Sequence, residues 1–256
     1  MNLRPHLEQA GALLRNARYA VAFTGAGVST PSGIPDFRSP GSGLWANTDP
    51  LEVASLAAFR YHPERFYAWL HPLAAQFHQA QPNAAHRALA ELEAAGLIQV
   101  LITQNIDELH LRAGSHQVLE IHGSLRQATC VQCRSVVPGW PVLEQFVADC
   151  RLPRCGECGG LLKPNVILLG EQLLETVLRE ARAAARRCDV MVVAGSSLEV
   201  MPSASLPLEA VERGARLILI NIGQTYLDER ADVLIQADVA EILPQLAAAA
   251  RQEKHV

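Results

Sequence analysis

Residues 19–30 read Tyr-Ala-Val-Ala-Phe-Thr-Gly-Ala-Gly-Val-Ser-Thr, an apolar run that ends in a glycine-rich turn. The run before Gly25 is short and apolar, as expected of a buried β-strand. Small residues at Gly25, Ala26 and Gly27 let backbone N–H groups approach a phosphate, and the amino end of a following helix would favour its negative charge. The stretch therefore predicts the first unit of a parallel sheet with a phosphate-binding edge.

The rest of the chain alternates in the same way between short apolar runs and amphipathic stretches. This alternation predicts an α/β fold with a doubly wound, mostly parallel sheet of the Rossmann-like type. Region 50–95 is predicted to be mostly helical, with breaks near Pro63, Pro72 and Pro82. Further strands are predicted at 97–103, 118–121, 166–169, 190–194, 217–220 and 233–235, and further helices at 3–17, 172–187, 204–213 and 238–251.

Polar motifs follow five of the predicted strands. Ligands of doubly wound sheets bind beyond the carboxyl ends of the strands, so we expect these motifs to line one cleft. The motifs are Thr24 to Gly27, Thr103-Gln104-Asn105, His122-Gly123, Gly195-Ser196-Ser197 and Asn221-Ile222-Gly223.

The glycine turn differs from that of an ordinary nicotinamide dehydrogenase. Thr30 occupies the position of the usual third glycine, and no acidic residue ends a second strand about 20 residues further on. A tight structural turn remains an alternative. The following Asp36-Phe37-Arg38 has little packing reason to lie in a loop. Phe37 could shield a nicotinamide or a reactive sugar from water, and Arg38 could pair with a phosphate.

Two candidate catalytic groups have a second interpretation. Asp107 would also serve as an ordinary helix N-cap, although capping does not explain the adjacent Gln104 and Asn105. A histidine such as His122 is more often a hydrogen-bonded core residue, but its place at a strand end before a glycine favours the cleft. A histidine with a pKa near ~6.5 is suited to general-base catalysis at neutral pH.

Four cysteines form two Cys-x-x-Cys pairs, Cys130 with Cys133 and Cys155 with Cys158. Two such pairs complete a closed tetrahedral site, which predicts one structural Zn²⁺ rather than a catalytic one. Redox or disulfide cysteines are the alternative. Cys150 and Cys188 lie outside the pattern and are expected to be inert thiols.

The composition limits the partners of the protein. The net charge is −4, from 22 basic and 26 acidic residues, so we expect no nucleic-acid binding. The first ten residues lack the apolar run of a signal peptide, and no stretch approaches the ~18 apolar residues of a membrane span. We therefore expect a cytoplasmic protein without membrane contact. The sequence does not reveal its oligomeric state, and a monomer is compatible with it.

Together these residues resemble the sirtuin family of NAD-dependent protein-lysine deacylases. The resemblance extends from about residue 7 to 240 and is to a bare catalytic core of the prokaryotic type. The motifs that carry it are Gly25 to Ser29, Gly33 to Arg38, Thr103 to Asp107 with Leu109 and His110, His122-Gly123, the two cysteine pairs, Gly170-Glu171, Gly195 to Leu198 with Val200 and Pro202, and Asn221.

The resemblance implies a group transfer in which NAD is consumed. The acyl group of an acyl-lysine would pass to the ADP-ribose part of NAD, with release of nicotinamide and free lysine. The acyl oxygen would attack C1′ of the nicotinamide ribose, and charge would build up on the sugar as in glycoside hydrolysis. Asn105 and Asp107 would orient the ribose and the nicotinamide amide, and His122 would deprotonate a ribose hydroxyl.

The resemblance also implies the ligand contacts. An acyl-lysine peptide would add as a β-strand between 166–169 and 198–201, contacting Ile167, Leu169, Gly170, Glu171, Leu198 and Val200. NAD would be bound by Gly25, Ala26, Gly27, Thr30, Asp36, Phe37, Arg38, Gln104, Asn105, Ile106, Asp107, His122, Gly195, Ser196, Ser197, Asn221, Ile222 and Gly223, with Asp238 or Val239 near the adenine.

Three parts of the chain are expected. Residues 1–39, 84–125 and 164–256 would form the Rossmann-like NAD-binding domain, 40–83 a mobile cofactor loop and helical module, and 126–163 the zinc-binding module. In the subgroup that accepts acidic acyl groups, a Tyr and an Arg bind the carboxylate. Leu70 and Leu73 stand at the aligned positions and disfavour succinyl or malonyl groups. Leu169 replaces the usual Phe, which either leaves room for longer apolar acyl chains or has no effect.

Three other functions are alternatives to deacylation. An ADP-ribosyltransferase would let a protein side chain capture the same ribose. A non-enzymatic NAD sensor would bind without releasing nicotinamide, which leaves His122 and Asn105 unexplained. A zinc-ribbon nucleic-acid module would need a basic stripe, but between the cysteine pairs Arg134, Arg151 and Arg154 alternate with Glu144 and Asp149.

Overall fold

Two β-sheets organise the protein. The computed structural model describes residues 3–37, 43–45 and 48–252. In chain order, the strands formed by these residues are β1 (Ala20–Thr24), β2 (Val100–Thr103), β3 (Val118–Glu120), β4 (Gly123–Cys130), β5 (Val136–Pro138), β6 (Leu162–Val166), β7 (Val190–Ala194), β8 (Arg216–Ile220) and β9 (Val233–Ile235).

The helices connect and cover these strands. In chain order, the α-helices of the described residues are α1 (Arg4–Asn16), α2 (Pro50–Val53), α3 (Leu56–Tyr61), α4 (Pro63–Gln79), α5 (Ala84–Ala94), α6 (Leu109–Arg112), α7 (Gly139–Asp149), α8 (Glu175–Arg187), α9 (Leu206–Glu212) and α10 (Val239–Arg251). Among the described residues, every helix is too short or too polar to cross a membrane.

The larger sheet has the strand order β3-β2-β1-β7-β8-β9, and all of its neighbouring pairs are parallel. When only these strands are counted along the chain, the order is 3-2-1-4-5-6, that of dinucleotide-binding domains. The predicted doubly wound sheet is therefore confirmed. The winding direction reverses between β1 and β7, so a crevice is expected at their carboxyl ends.

Both faces of this sheet are covered by helices. In β1, Ala20 and Ala22 pack in a core cluster with residues of α1, α5 and α10, while Val21 and Phe23 pack in a second cluster with residues of α8 and α9. Burial on both faces explains why the strands are almost uninterrupted apolar runs.

The smaller sheet is antiparallel, with the order β5-β4-β6. Strand β4 begins at Gly123, directly after His122, and ends at Cys130, so a single strand links the cleft to the first cysteine pair. A third core cluster joins α4 and α7 to this sheet through Phe66, Tyr67 and Phe146. The Tyr67 hydroxyl donates to the Leu162 carbonyl (2.6 Å).

The predicted strand at 166–169 is wrong. Strand β6 ends at Val166 and belongs to the smaller sheet, and Leu169 forms only an isolated bridge to Ser55. Val166 and Leu168 are buried in the third core cluster, so this run is apolar because it packs against helices rather than within the central sheet.

Two other local expectations also fail. Pro72 does not break a helix but lies inside α4, where Leu70, Leu73 and Phe77 are buried in the third cluster and hold it. The glycine turn continues as two short 3₁₀ turns, Ala26–Val28 and Thr30–Ser32, and not as an α-helix. Since Pro31 has no N–H and Gly33 is left-handed, a longer helix cannot propagate there.

Candidate functional site

The crevice at the strand reversal is formed by a close crossing of two glycine segments. Gly27 N donates to the Gly195 carbonyl (2.9 Å), and Gly25 N donates to the Ala194 carbonyl (3.2 Å). Gly195 has φ +60°, and a Cβ there would lie 2.5 Å from Val28 N. Only glycine permits this crossing, which brings the ends of β1 and β7 together.

Polar residues from three strand ends meet a serine of a following 3₁₀ turn beside this crossing. His122 Nδ1 lies 3.0 Å from the Gln104 carbonyl oxygen, and His122 Nε2 lies 3.2 Å from Ser203 Oγ. The Gln104 side chain donates to Ser203 Oγ (3.0 Å) and accepts from Ser196 Oγ (3.0 Å). The structure thus brings together His122, Gln104 and Ser196, as their places at strand ends predicted.

The contacts of His122 define its chemistry. A carbonyl only accepts, so Nδ1 carries the ring proton and donates a hydrogen bond to the Gln104 carbonyl, which makes Nε2 of the neutral ring a hydrogen-bond acceptor. Burial lowers the pKa of His122 below its usual value, and the Gln104 carbonyl raises it in part. The imidazole is therefore neutral at pH 7, as a general base requires. Its pKa lies lower than the unperturbed value expected from sequence.

A second buried network holds Asn105 and Asp107. The Asn105 amide donates to Ser29 Oγ (3.0 Å), and Ser29 Oγ donates to Asp107 Oδ2 (2.6 Å). Asp107 Oδ1 also accepts from Leu109 N (2.9 Å), so its carboxylate does cap the following turn. Burial raises the pKa of Asp107, and the Ser29 hydrogen bond opposes that rise.

Two buried histidines lie behind this network, with ring centroids 4.8 Å apart. His86 Nε2 lies 3.4 Å from Ser29 Oγ, and His110 Nε2 lies 2.9 Å from Thr24 Oγ1. Burial, aided by Arg87, lowers the pKa of His86 to about 3. Burial also lowers the pKa of His110, so both rings are neutral and act as fixed hydrogen-bonding partners.

The other residues predicted to bind NAD lie on several segments of the described chain, apart from Arg38. Ala26 and Thr30 lie in the two 3₁₀ turns, and Phe37 stacks on Trp45 with centroids 5.3 Å apart. Arg38 lies outside the described residues. Asp36 and Ile106 are half-buried, and Ser197 is exposed. Asn221, Ile222 and Gly223 follow β8. Asp238 caps α10, which begins at Val239.

The residues predicted to bind the acyl-lysine peptide lie on two segments. Ile167 N donates to the His122 carbonyl (2.8 Å), so the segment after β6 runs beside the cleft. Leu169 and Gly170 are exposed, and Glu171 pairs with Lys163 (2.9 Å). On the other segment, Leu198 and Val200 follow β7, and Leu198 has φ +56°.

The four cysteines of the two pairs converge. Their Sγ atoms all lie within 4.8 Å of one another, with Cys130 to Cys158 at 3.5 Å and Cys133 to Cys155 at 3.7 Å. A tetrahedral zinc with Zn–S bonds of about 2.3 Å requires Sγ–Sγ distances of about 3.8 Å, so the donors fit this ion. All four donors come from the protein, which leaves no open position for catalysis.

Two hydrogen-bonding residues of the site were given no role from the sequence. Ser29 contacts Asn105, Asp107 and His86, and Ser203 joins Gln104 to His122. Ser29 lies two residues after the glycine turn, and that proximity was the available signal. Ser203 stands in a loop with other serines, where the sequence does not distinguish it.

The fold and the cleft define a dinucleotide-binding type of α/β protein with an inserted four-cysteine module. The chain belongs to the Sir2 family, whose family model matches residues 25–202.

Curated relatives cover nearly the whole chain. An NAD-dependent protein deacylase 2 of Archaeoglobus fulgidus is 42% identical over 95% of this chain and 96% of its own length. An NAD-dependent protein deacetylase 1 of Geobacillus kaustophilus is 43% identical over 91% of this chain and 94% of its own length.

Solved structures of Sir2 proteins have the same fold. One Sir2 variant with a deacetylated p53 peptide and 3′-O-acetyl ADP ribose has a TM-score of 0.89 at 40% identity, covering 97% of this chain and 98% of that one. Sir2Af2 bound to a myristoylated histone peptide has a TM-score of 0.82 at 36% identity, covering 97% of each chain.

Proposed function

We propose that this protein is an NAD-dependent protein-lysine deacylase, which transfers the acyl group of an acyl-lysine to ADP-ribose and releases nicotinamide and free lysine. Its membership of the Sir2 family and the names of its relatives support this proposal. The observation that carries it is the neutral His122, whose Nδ1 is fixed by the Gln104 carbonyl and whose Nε2 faces Ser203 Oγ at 3.2 Å.

His122 is the proposed general base. Its Nε2 would take the proton of a ribose hydroxyl, while Nδ1–H keeps its bond to the Gln104 carbonyl. Asn105 and Asp107 would orient the ribose and the nicotinamide amide. Ser29 supports their role because it fixes both side chains in one buried network.

NAD is proposed to bind along the glycine crossing and the strand ends around it. Gly25, Gly27 and Gly195 allow the two strand ends to cross closely, and we propose that the pyrophosphate binds to backbone N–H groups beside this crossing. Phe37 and Arg38 are proposed to shield the ribose and pair with a phosphate, and Asn221 and Asp238 to lie at the adenosine end. NAD supplies the electrophilic sugar carbon, and the protein orients it and excludes water.

The peptide is proposed to lie between residues 167–169 and the loop 198–201. The hydrogen bond from Ile167 N to the His122 carbonyl would bring a side chain of that peptide close to the base. Leu70 and Leu73 are buried among aromatic residues, and we propose on this basis that acidic acyl groups are poor substrates. Leu169 leaves room for apolar chains longer than acetyl.

We further propose that the chain divides into three parts. Residues 126–163 would form a zinc module that supports the fold without taking part in the reaction, since its four thiolates leave the ion no free position. Residues 40–83 would form the helical module and part of the NAD site. Residues 1–39, 84–125 and 164–256 would form the NAD-binding domain.

The test is a peptide panel with acetyl-, butyryl-, myristoyl- and succinyl-lysine, incubated with NAD and analysed for nicotinamide and free lysine. We expect turnover of the apolar acyl groups and little of succinyl. His122→Ala should lose at least about 100-fold in kcat because a positioned base contributes about 10²–10⁴-fold. The control is His116→Ala, which removes an exposed histidine outside the cleft.

Two results would contradict the proposal. Near-wild-type turnover by a folded His122→Ala protein would remove the proposed base. Radiolabel from the ADP-ribose part of NAD that stays on a protein side chain, without release of free lysine, would instead identify an ADP-ribosyltransferase.

A further inference from the structure

Ser203 is a fully buried serine in contact with the base, and the mechanism above gives it no role. Its Oγ lies 3.2 Å from His122 Nε2, 3.0 Å from the Gln104 amide nitrogen and 2.8 Å from the Val200 carbonyl oxygen. Ser203 and His122 are 81 residues apart in the chain, so only the fold brings them together.

Two of the three contacts, those with His122 and Val200, compete for one hydroxyl proton. A hydroxyl donates one hydrogen bond and accepts up to two. Gln104 Nε2 only donates, so it uses one acceptor position of Ser203 Oγ. The Val200 carbonyl only accepts, so it requires the hydroxyl proton. His122 Nε2 is an acceptor when the ring is neutral and a donor when the ring is charged.

The protonation state of His122 therefore sets the orientation of the Ser203 hydroxyl. With a neutral ring, the hydroxyl satisfies the Nε2 lone pair by donating to it. With a charged ring, Nε2–H donates to Ser203 Oγ, and the hydroxyl proton turns to the Val200 carbonyl. Both arrangements leave each buried polar group with a partner, which a buried site requires.

We propose that Ser203 is a positioning residue for His122, and that its hydroxyl alternates between donating to Nε2 and donating to the Val200 carbonyl. This inference rests on the proposed function, because it assigns His122 as the base. Ser203 transfers no proton, since its hydroxyl keeps its own hydrogen in both orientations.

The two orientations match the two moments of the reaction. The neutral Nε2 has one lone pair, so Ser203 must turn away when a ribose hydroxyl donates to that atom. The Val200 carbonyl accepts the displaced hydroxyl proton at 2.8 Å, which keeps Ser203 hydrogen-bonded. After proton transfer, Ser203 Oγ is an acceptor next to the new imidazolium. A charge-assisted hydrogen bond is stronger than a neutral one, so Ser203 favours the charged ring.

Removal of the hydroxyl should therefore lower the pKa of His122. Burial and the Gln104 carbonyl are the causes that set this pKa, and neither is a charged side chain. In Ser203→Ala we expect the acid limb of the kcat–pH profile to move to lower pH by about one unit, a tenfold change in the protonation equilibrium. We also expect kcat at pH 7 to fall about tenfold and KM to change less than about threefold.

Three control variants distinguish the positioning of His122 by Ser203 from a general loosening of the surrounding structure. Ser205→Ala removes a hydroxyl of the same 3₁₀ turn that bonds to the Pro202 carbonyl, and should behave as wild type. Ser203→Thr restores a hydroxyl and should return the pH profile toward that of wild type. Ser196→Ala releases the other end of the Gln104 side chain and should leave the pKa of His122 unchanged.

An NMR titration of the His122 imidazole in ligand-free protein decides the inference without any enzyme assay. A lower pKa in Ser203→Ala, with wild-type values in Ser205→Ala and Ser196→Ala, is the expected result. The same pKa in wild type and Ser203→Ala would overturn it. If the wild-type protein deacylates no peptide, the proposed function fails, and this titration still tests the role of Ser203.

Discussion

We predict that Gly195→Ala destabilises the protein because the new side chain would force the two glycine segments apart. In Gly195→Ala, the new Cβ would lie 2.5 Å from Val28 N, 2.7 Å from Gly27 C and 3.0 Å from Val28 Cγ2. Two of these atoms are backbone, so the crossing segment itself must move. The alanine would also have to adopt φ +60°.

Both effects destabilise the folded protein. A non-glycine residue in the left-handed region costs about 1–3 kcal/mol, and a side chain forced into packed atoms costs about 1–3 kcal/mol more. We expect Gly195→Ala to lower the free energy of unfolding by about 2–6 kcal/mol, the sum of the two effects. Displacement of the 25–28 turn should also weaken ADP-ribose binding.

The assay is urea unfolding followed by tryptophan fluorescence, with three matched variants. Gly214→Ala has φ +92° but no atom within 4 Å of its Cβ, so it should lose only the conformational part. Gly27→Ala lacks a left-handed φ but meets the Gly195 carbonyl oxygen at 2.9 Å, so it should lose only the packing part. Gly223→Ala has neither problem and should be near neutral.

A single outcome would refute this reasoning. If Gly195→Ala and Gly214→Ala lower the free energy of unfolding by the same amount, the close approach of the two glycine segments adds nothing to the cost of the Gly195 substitution. Unchanged ADP-ribose binding by a destabilised Gly195→Ala protein would separate the crossing from the proposed NAD site.

The remaining predictions concern metal and pH. Metal analysis should find about one zinc per chain. Chelation or the Cys133→Ser substitution should release the zinc and lower the melting temperature, because a structural ion adds folding energy. Cys150→Ser is the control and should retain the zinc. The pKa of His86 is about 3 in the folded protein and near 6.5 in the unfolded chain. Between pH 6.5 and pH 3 only the unfolded chain is protonated at this residue. The free energy of unfolding should therefore fall by about 1.4 kcal/mol for each unit by which the pH is lowered through this range. His86→Gln should reduce that slope by this amount in urea unfolding series, and an unchanged slope would contradict it.

Local patterns were enough to predict most secondary structure. The strand at 190–194 was predicted with its observed bounds, because burial on both faces makes a parallel strand a continuous apolar run. Most other predicted elements agree with the structure within a few residues. The prediction of a strand at 166–169 failed because packing against helices leaves the same apolar run. Pro72 failed because tertiary packing in α4 outweighs a local helix-breaking preference.

The site was predictable to the extent that its residues follow strands or repeat at fixed spacing. The cysteine pairs can be recognised from the sequence because the spacing within each pair is local. The structure brings their four sulfur atoms together. Gln104 and His122 were placed in one cleft because parallel strands end at one edge of a sheet. Ser29 and Ser203 were missed because their importance comes from partners distant in sequence.

The sequence by itself determined the types of elements, the glycine turn and the metal-binding cysteines of this protein, since each depends on neighbours along the chain. Tertiary structure alone decided that Gly195 crosses the glycine turn, that Ser203 reaches His122, and that burial lowers the pKa of that histidine. The physical reason is that close approach and desolvation depend on which distant segments pack together, and residue spacing does not specify that.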